Sequence, residues 1–225
     1  MKTLGSGFFD KPSRKLAIDL LGKVLRHNIQ YQGRSVWLSA RIIETEAYEI
    51  TEKGSHPSLG FTPKRAALIM APGTIYMYYS RGKDSINFSA RGKGHGVLVK
   101  SAFPHIDRVS PKICVEITQK LNPSPSGVRT PESLCKGQTL MCKALDLKLT
   151  EWDQMCLDED NFVLTDAGLK VPHIIQCPRL GIPIGRDEHL MYRFVDYSLA
   201  KHCTSNPLTK RRWRIDKDYK VLEMA

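Results

Sequence analysis

The segment from residue 36 to residue 48 constrains the fold more than any other part of the sequence. Its first half alternates between two sets of side chains, one of which is wholly apolar: Val36, Leu38, Ala40 and Ile42. A two-residue period is the signature of a β-strand with two different faces. If that strand continues without interruption, Glu44, Glu46 and Tyr48 lie on this apolar face. We therefore expect a sheet that carries two acids toward its apolar side.

Helical and strand patterns follow one another in mixed order along the rest of the chain. Apolar residues at helical spacing predict helices over residues 12–25, after Ser110 and over residues 139–147. Further strands are predicted over residues 74–79, 96–102, 162–164, 173–177 and 191–195. Because strands and helices do not alternate strictly, we expect an α+β fold with a curved, largely antiparallel sheet flanked by helices. We expect one domain over residues 1–225.

Charge and composition narrow the class of partner. The chain has 34 Lys and Arg against 23 Asp and Glu, a net charge of +11, which favours a polyanionic partner such as nucleic acid. No apolar run approaches the roughly 20 residues that span a bilayer, and the first residues lack a signal-peptide pattern. The six cysteines form no C-x-x-C pair. We therefore expect an intracellular protein without a membrane segment, a disulfide framework, a metal or a cofactor.

The two acids are the first candidates for chemistry. Glu44 and Glu46 are two residues apart, so their Cα atoms lie roughly 6.5 Å from one another on a strand. Most strand carboxylates face solvent and have no chemical role. A carboxylate held in a partly apolar pocket can instead act as a general base toward water. The alternation alone does not favour either acid over the other.

The residues around these acids belong to a longer pattern. Residues 41–48 read RIIETEAY, and they are followed by His56 and by PGTIYMY at residues 72–78. This core resembles the alkyladenine (3-methyladenine) DNA glycosylase family. Other parts of the chain resemble that family in the same order: FFDKP at 8–12, LLGKVL at 20–25, LCKG at 134–137, PRLGI at 178–182 and Arg193-Phe194. The resemblance covers nearly the whole chain.

The resemblance implies an enzyme of base-excision repair. It implies hydrolysis of the N-glycosidic bond of alkylated or deaminated purines, of the 3-methyladenine, hypoxanthine and ethenoadenine class, leaving an abasic site. Such an enzyme flips the damaged nucleotide out of double-stranded DNA into a pocket. Water attacks rather than a lysine, so the enzyme is expected to be monofunctional. We expect a monomer that is cytoplasmic and nucleoid-associated if bacterial, or nuclear if eukaryotic.

The resemblance also assigns roles to individual residues. Glu46 matches the family's catalytic acid, which activates the attacking water. Tyr48 matches the aromatic residue on one side of the flipped base, and His56 and Tyr78 match the groups on the other side. Asn87 matches the residue whose side chain crowds the exocyclic amine of normal guanine, which rejects that base by steric conflict.

The sequence departs from the family pattern at two functional positions. Lys100 stands where the family generally has an arginine beside the catalytic water, and a lysine lacks the planar guanidinium fork. Arg81 stands where a tyrosine usually fills the gap left by the flipped nucleotide. A guanidinium plane stacks on bases and also carries charge to the phosphates, so Arg81 is the candidate wedge, with Tyr79 as the alternative.

Two other readings of the sequence remain. One is a DNA-binding protein on the same scaffold that recognises lesions with weak or no excision, with Arg81 and Lys100 as signs of lost catalysis. The other is a hydrolase of small nucleosides, which explains Glu46 and the aromatic residues but makes little use of the positive charge.

Overall fold

The computed structural model describes residues 2–210 and 212–224. Its main element is an open sheet in which the paired strands run antiparallel, with helices against it, so the predicted α+β fold is confirmed. The strands are β1 (Lys2–Thr3), β2 (Val24–Tyr31), β3 (Arg34–Tyr48), β4 (Ile75–Ser80), β5 (Lys83–Ser89), β6 (Gly96–Pro104), β7 (Phe162–Asp166), β8 (His173–Cys177), β9 (Arg193–Asp196) and β10 (Lys220–Glu223). The α-helices are α1 (Ser13–Leu20), α2 (Ile113–Leu121), α3 (Gln138–Ala144) and α4 (Leu149–Trp152).

The long strand β3 joins the parts of the sheet. The main order is β1-β7-β2-β3-β6-β5-β4. β2 pairs with the first half of β3, and β9 pairs with Glu44, Thr45 and Glu46 farther along it. β9 in turn pairs with β8, and β8 with β10. The second half of β3 therefore lies between β6 and β9, and both acids are at this junction.

The two faces of β3 are covered by separate apolar clusters. Buried residues of α1, α2 and α3 pack in one large cluster with Leu38 and Ile42. The opposite cluster is smaller and includes Ile43, Cys177 and Val195. Burial of an aliphatic side chain of this size contributes about 1.5–3 kcal/mol. Both faces of β3 are therefore in apolar surroundings, which excludes a solvent-facing position for the acids.

A double irregularity in the sheet changes the face on which the acids lie. The ladder between β3 and β6 skips Ile43 in β3 and Lys100 in β6. Beyond it, Thr45 donates to the carbonyl of Ala17 in α1, and Ala47 joins the large cluster. The prediction that Glu44, Glu46 and Tyr48 share the face of Leu38 and Ile42 is wrong, because the β-bulge interrupts the two-residue period. The acids lie on the other face.

The predicted helix over residues 12–25 is correct only in its first part. The helix α1 ends at Leu20, and Val24 and Leu25 already belong to β2. Between them Gly22 has a φ of +81°, and a Cβ there would lie 2.8 Å from the carbonyl oxygen of Leu169. Glycine adopts this conformation without strain, so it allows the chain to turn from helix to strand.

The other predicted elements are present with small differences at their ends. Strands occupy β4, β6, β7, β8 and β9, and helices occupy α2 and α3. The strands β1, β2, β5 and β10 and the short helix α4 were not predicted. Within the described part of the chain, no helix is long and apolar enough to cross a membrane.

Candidate active site

A cleft of about 810 Å³ opens beside the junction of β3, β5 and β6. It is bounded by the β4–β5 hairpin and by loops that include residues 54–59 and 180–186. Six predicted site residues line it: Tyr48, His56, Tyr78, Arg81, Asn87 and Lys100. Glu46 is fully buried beneath the cleft, in contact with Tyr48 and Lys100. Tyr79 is 57% exposed and does not line the cleft.

Glu46 is held by contacts from three parts of the chain. Its Oε2 accepts a hydrogen bond from the Tyr48 hydroxyl at 2.8 Å and lies 3.4 Å from Lys100 Nζ. Its Oε1 accepts from the backbone N–H of Leu180 at 3.2 Å. A carboxylate has about four acceptor positions, so these contacts leave room for a water molecule. These contacts hold the carboxylate in place and leave part of its capacity to accept hydrogen bonds unused.

The surroundings of Glu46 favour its ionised form. Burial alone would raise the pKa of Glu46, but Lys100, Arg193 and the hydrogen bonds from Tyr48 and Leu180 oppose it. The net effect is a pKa below the ordinary value of 4.5. Glu46 is therefore a carboxylate at neutral pH, as a proton acceptor must be.

Glu44 has a different environment, although it is only two residues away. Its oxygens accept from the Ser101 hydroxyl at 2.5 Å, from Arg193 Nε at 2.7 Å and from both the N–H and the hydroxyl of Thr204, at 3.0 and 2.6 Å. Both acids are fully buried, and neither is among the residues that line the cleft. The oxygens of Glu44 are therefore occupied by these protein partners, whereas Glu46 accepts from or contacts two residues that line the cleft, Tyr48 and Lys100.

One wall of the cleft is a cluster of three rings. The centroids of His56 and Tyr78 are 4.6 Å apart, and Tyr76 stacks on Tyr78 at 5.6 Å and 30°. The hydroxyl of Tyr76 is 2.9 Å from His56 Nδ1. Burial lowers the pKa of His56, helped by Arg65 and Arg186, so this imidazole is neutral at pH 7. A neutral aromatic wall suits a flat ligand that carries positive charge.

Tyr48 is supported from outside the cleft by a buried arginine. Arg179 Cζ lies 4.6 Å from the centroid of the Tyr48 ring, and Arg179 donates to Glu52 and to the carbonyl of Ala47. Arg179 and Glu52 are almost completely buried, and they form a bidentate ion pair. A planar guanidinium with fixed partners holds the ring in one orientation.

Asn87 and Gln138 supply neutral polar groups to the cleft. The amide nitrogen of Asn87 donates to the carbonyl of Tyr76 at 3.1 Å, which fixes the side chain of this residue from β5. Gln138, at the start of α3, lies 3.5 Å from the hydroxyl of Tyr78. Both side chains therefore have defined positions from which to contact a ligand.

The β4–β5 hairpin presents Arg81 at the mouth of the cleft. Ser80 pairs with Lys83, so Arg81 and Gly82 form a two-residue turn, with φ of 52° and 74°. Two positive φ values match the type I′ turn that suits a tight hairpin. Four cationic residues line the cleft: Arg81, Lys83, Lys100 and Arg186. Within the described part of the chain, no acidic residue lines it. The entrance is therefore electropositive.

Several residues of the site were not predicted from the sequence. Tyr76, Leu180 and Gln138 contact predicted residues directly, and Arg179 and Arg193 act from behind them. Four of them, Tyr76, Arg179, Leu180 and Arg193, lie inside strings that resemble the family, and their place in those strings was the only signal. Within residues 2–210 and 212–224, no three His, Cys, Asp or Glu side chains form a group suited to a metal ion.

Comparison with known proteins shows which family this chain resembles. A family model described as methylpurine-DNA glycosylase (MPG) matches residues 7–198. A protein of Pseudomonas savastanoi pv. phaseolicola, provisionally named 3-methyladenine DNA glycosylase, is 54% identical over 220 residues, which cover 97% of this chain and 96% of that protein. A Pseudomonas aeruginosa protein with the same provisional name is 52% identical over 223 residues, covering 98% and 91% of the two chains.

A more distant relative is human. DNA-3-methyladenine glycosylase of Homo sapiens is 31% identical over 185 residues, which cover 80% of this chain and 60% of the human protein. The family resemblance stated from the sequence is therefore confirmed over most of the chain. The chain belongs to the methylpurine-DNA glycosylase family.

Proposed function

We propose that this protein is a DNA repair glycosylase that removes alkylated or deaminated purines from double-stranded DNA. The observation that carries the proposal is the fully buried, ionised Glu46 beneath a cleft with aromatic walls and a cationic mouth. A flat base suits such walls, and a polyanion suits such an entrance. The names of the relatives support the same activity class. Since the close relatives are bacterial, we expect the protein to act in the cytoplasm, at the nucleoid.

The proposed reaction uses water as the nucleophile. A damaged purine flipped into the cleft stacks between Tyr48 on one side and His56 and Tyr78 on the other. Glu46 orients a water molecule, accepts its proton as the water attacks C1′ of the deoxyribose, and stabilises the positive charge that develops on the sugar. The purine leaves with the electrons of the glycosidic bond. No amine takes part in this step, so excision itself is of the monofunctional type.

The proposed selectivity combines stacking with exclusion. Alkylation at a ring nitrogen makes a purine electron-poor, and an electron-poor base stacks well on the neutral rings of Tyr48 and Tyr78. The side chain of Asn87, which is held by its hydrogen bond to the Tyr76 carbonyl, is the group that we expect to conflict with the exocyclic amine of guanine. Several lesions are then accepted by one pocket, because stacking does not depend on one particular substituent.

The position of the acid limb of the pH profile tests the electrostatic role of Lys100. Replacing Lys100 with methionine removes a cation that lowers the pKa of Glu46. The pKa of Glu46 then rises, and excision, which needs the carboxylate, is lost at a higher pH than in the wild type. Single-turnover rates on an ethenoadenine duplex across acidic buffers measure this shift. Lys100→Arg keeps the charge, so its excision rate should fall at nearly the same acidic pH as that of the wild type. If Lys100→Met also loses activity at the wild-type pH, Lys100 does not lower the pKa of Glu46.

Flipping is expected to depend on Arg81. Unstacking a base costs a few kcal/mol, and a side chain that fills the gap offsets part of that cost. Arg81→Ala should lower single-turnover excision from duplex DNA about tenfold, with a much smaller effect on a single-stranded substrate. Arg81→Tyr should restore most of the loss. If Arg81→Ala excises normally from the duplex and Tyr79→Ala does not, Tyr79 is the wedge instead.

Two experiments separate the proposal from its alternatives. A duplex with ethenoadenine, hypoxanthine or 3-methyladenine is incubated with excess protein, and the products are identified by mass. The proposal expects the free modified base and an abasic strand. The second experiment measures cleavage at several salt concentrations. A nucleoside hydrolase would cleave the free nucleoside at a rate that does not depend on salt, whereas binding to DNA phosphates weakens steeply as salt rises.

A further inference from the structure

We infer that Lys100 gives this protein a second activity, abasic-site lyase chemistry through a Schiff base with the product of its own excision. The inference rests on the proposed function, because that function places an abasic sugar in the cleft. It goes beyond excision by water, in which Lys100 only supplies charge. Its substrate is the ring-opened aldehyde form of an abasic nucleotide in duplex DNA.

The first observation is the position of the amine. Lys100 lines the cleft, its side chain is 13% exposed, and its Nζ lies 3.4 Å from Glu46 Oε2. This contact is the one hydrogen bond that Lys100 Nζ makes to the described residues. Its remaining donor positions are therefore not committed to the protein. A lysine has a flexible four-carbon stem, so the amine moves within the cleft without a change in the backbone.

The second argument is the distance from Glu46 to the sugar that the proposed excision requires. A water activated by Glu46 lies within hydrogen-bond reach of the carboxylate and about 3 Å from C1′, which puts C1′ within roughly 6 Å of Glu46. Lys100 Nζ is on the same carboxylate oxygen that Tyr48 contacts. Both the amine and C1′ are therefore neighbours of one carboxylate, and a rotation of the lysine stem brings them together.

The third observation is the residue type. Lys100 carries a primary amine, unlike an arginine guanidinium, which stays protonated and does not attack a carbonyl. A lysine amine forms Schiff bases with carbonyl compounds when it is neutral. Lys100 therefore brings a potential nucleophile next to Glu46. The double irregularity of the ladder holds this lysine at the bulge in β6, beside Glu46.

The proposed steps balance without any further reactant. The Lys100 ammonium gives one proton to the neighbouring Glu46 carboxylate, and the neutral amine then adds to the C1′ aldehyde. Glu46 returns that proton to the hydroxyl of the carbinolamine, which leaves as water and gives a protonated imine. The Glu46 carboxylate removes a proton from C2′, and the electrons of that C–H bond expel the phosphate from C3′. The strand breaks at the C3′–O bond, leaving a 5′-phosphate on one fragment and, on the other, an unsaturated imine that is still joined to Lys100. Water then hydrolyses the imine and releases Lys100.

Borohydride trapping tests the inference. Wild-type protein is mixed with a duplex in which an abasic site has been prepared beforehand, and borohydride reduces any imine to a stable amine. We expect a covalent complex of one protein with one strand, whose digest places the adduct on the peptide that contains Lys100. An adduct on Lys83 or on the terminal amine instead would overturn the inference.

Two variants complete the test. Lys100→Arg and Lys100→Met should each lower the trapped fraction at least about tenfold, since neither side chain forms an imine. Binding of a stable abasic analogue shows that each variant is folded and occupies the DNA. Trapping by Lys100→Arg at the wild-type level would overturn the inference.

The starting material keeps this test independent of the proposed function. The abasic site is present from the beginning, so trapping does not need excision. A wild-type protein that excises ethenoadenine but is not trapped on Lys100 rejects the lyase alone. One that is trapped on Lys100 but releases no base supports the lyase and rejects the glycosylase.

Discussion

Replacing Glu46 with glutamine is expected to stop base excision, with a fall in the single-turnover rate of at least about 10³-fold. Glutamine keeps the shape of the side chain but neither accepts the proton of the attacking water nor carries the charge that stabilises the sugar cation. The measurement is the release of ethenoadenine from a duplex by excess protein. Lesion binding should change little, because the rings of Tyr48, His56 and Tyr78 remain in place.

The control for this variant is therefore binding to the same duplex. A variant that binds the lesion as the wild type does, without releasing it, supports Glu46 as the base. Turnover retained by Glu46→Gln would identify another proton acceptor and reject the mechanism.

Glu44→Gln is expected to have its main effect on stability. The pair of Glu44 and Arg193 is completely buried, and both members also contact Thr204. Removing the charge of Glu44 leaves Arg193 buried without its counter-ion, which costs about 3–5 kcal/mol in the free energy of unfolding. Urea denaturation of the two proteins measures the difference.

An exposed pair provides the matched control for that measurement. Glu151 pairs with Lys148, and each side chain is about half exposed. Glu151→Gln should change the free energy of unfolding by less than about 1 kcal/mol. If Glu44→Gln is no more destabilising than Glu151→Gln, the Glu44 network does not support the fold as described here.

The different roles of two acids on one strand show what the sequence could and could not predict. The alternation in β3 predicted the strand correctly, and it predicted the wrong face for Glu44 and Glu46. The cause is the bulge at Ile43, opposite the second irregularity at Lys100. A bulge depends on how two strands far apart in the sequence pair with one another, and the period of a single strand does not contain that information.

The missed strands have local reasons. In β2 the apolar residues Val24 and Leu25 continue the spacing of the preceding helix, and only the conformation of Gly22 separates the two elements. In β5 the side chains of Ser85 and Asn87 are polar yet buried, since they hydrogen-bond to carbonyls of β4. Polar residues on a buried face weaken the apolar alternation by which a strand is predicted.

The site residues were predicted mainly by resemblance, and the structure brings most of them to one cleft. Residues that act through others were missed because their contacts connect distant parts of the chain. Arg179 lies 131 positions after Tyr48 in the sequence and packs against its ring. Neither composition nor periodicity predicts such a contact. The departures at Arg81 and Lys100 were visible in the sequence. In the structure Arg81 lies at the tip of the β4–β5 hairpin and Lys100 lies beside Glu46.

Simultaneous measurement of lesion binding and base release by the wild-type protein tests whether the protein excises damaged purines from duplex DNA. A duplex with a single ethenoadenine is mixed with excess protein, and the bound fraction and the free base are followed in the same samples. We expect the bound duplex to release its modified base and to keep an abasic site in that strand, while an undamaged duplex releases no base. Tight binding of the lesion with no release of base would contradict it and would favour a lesion-binding protein on this scaffold.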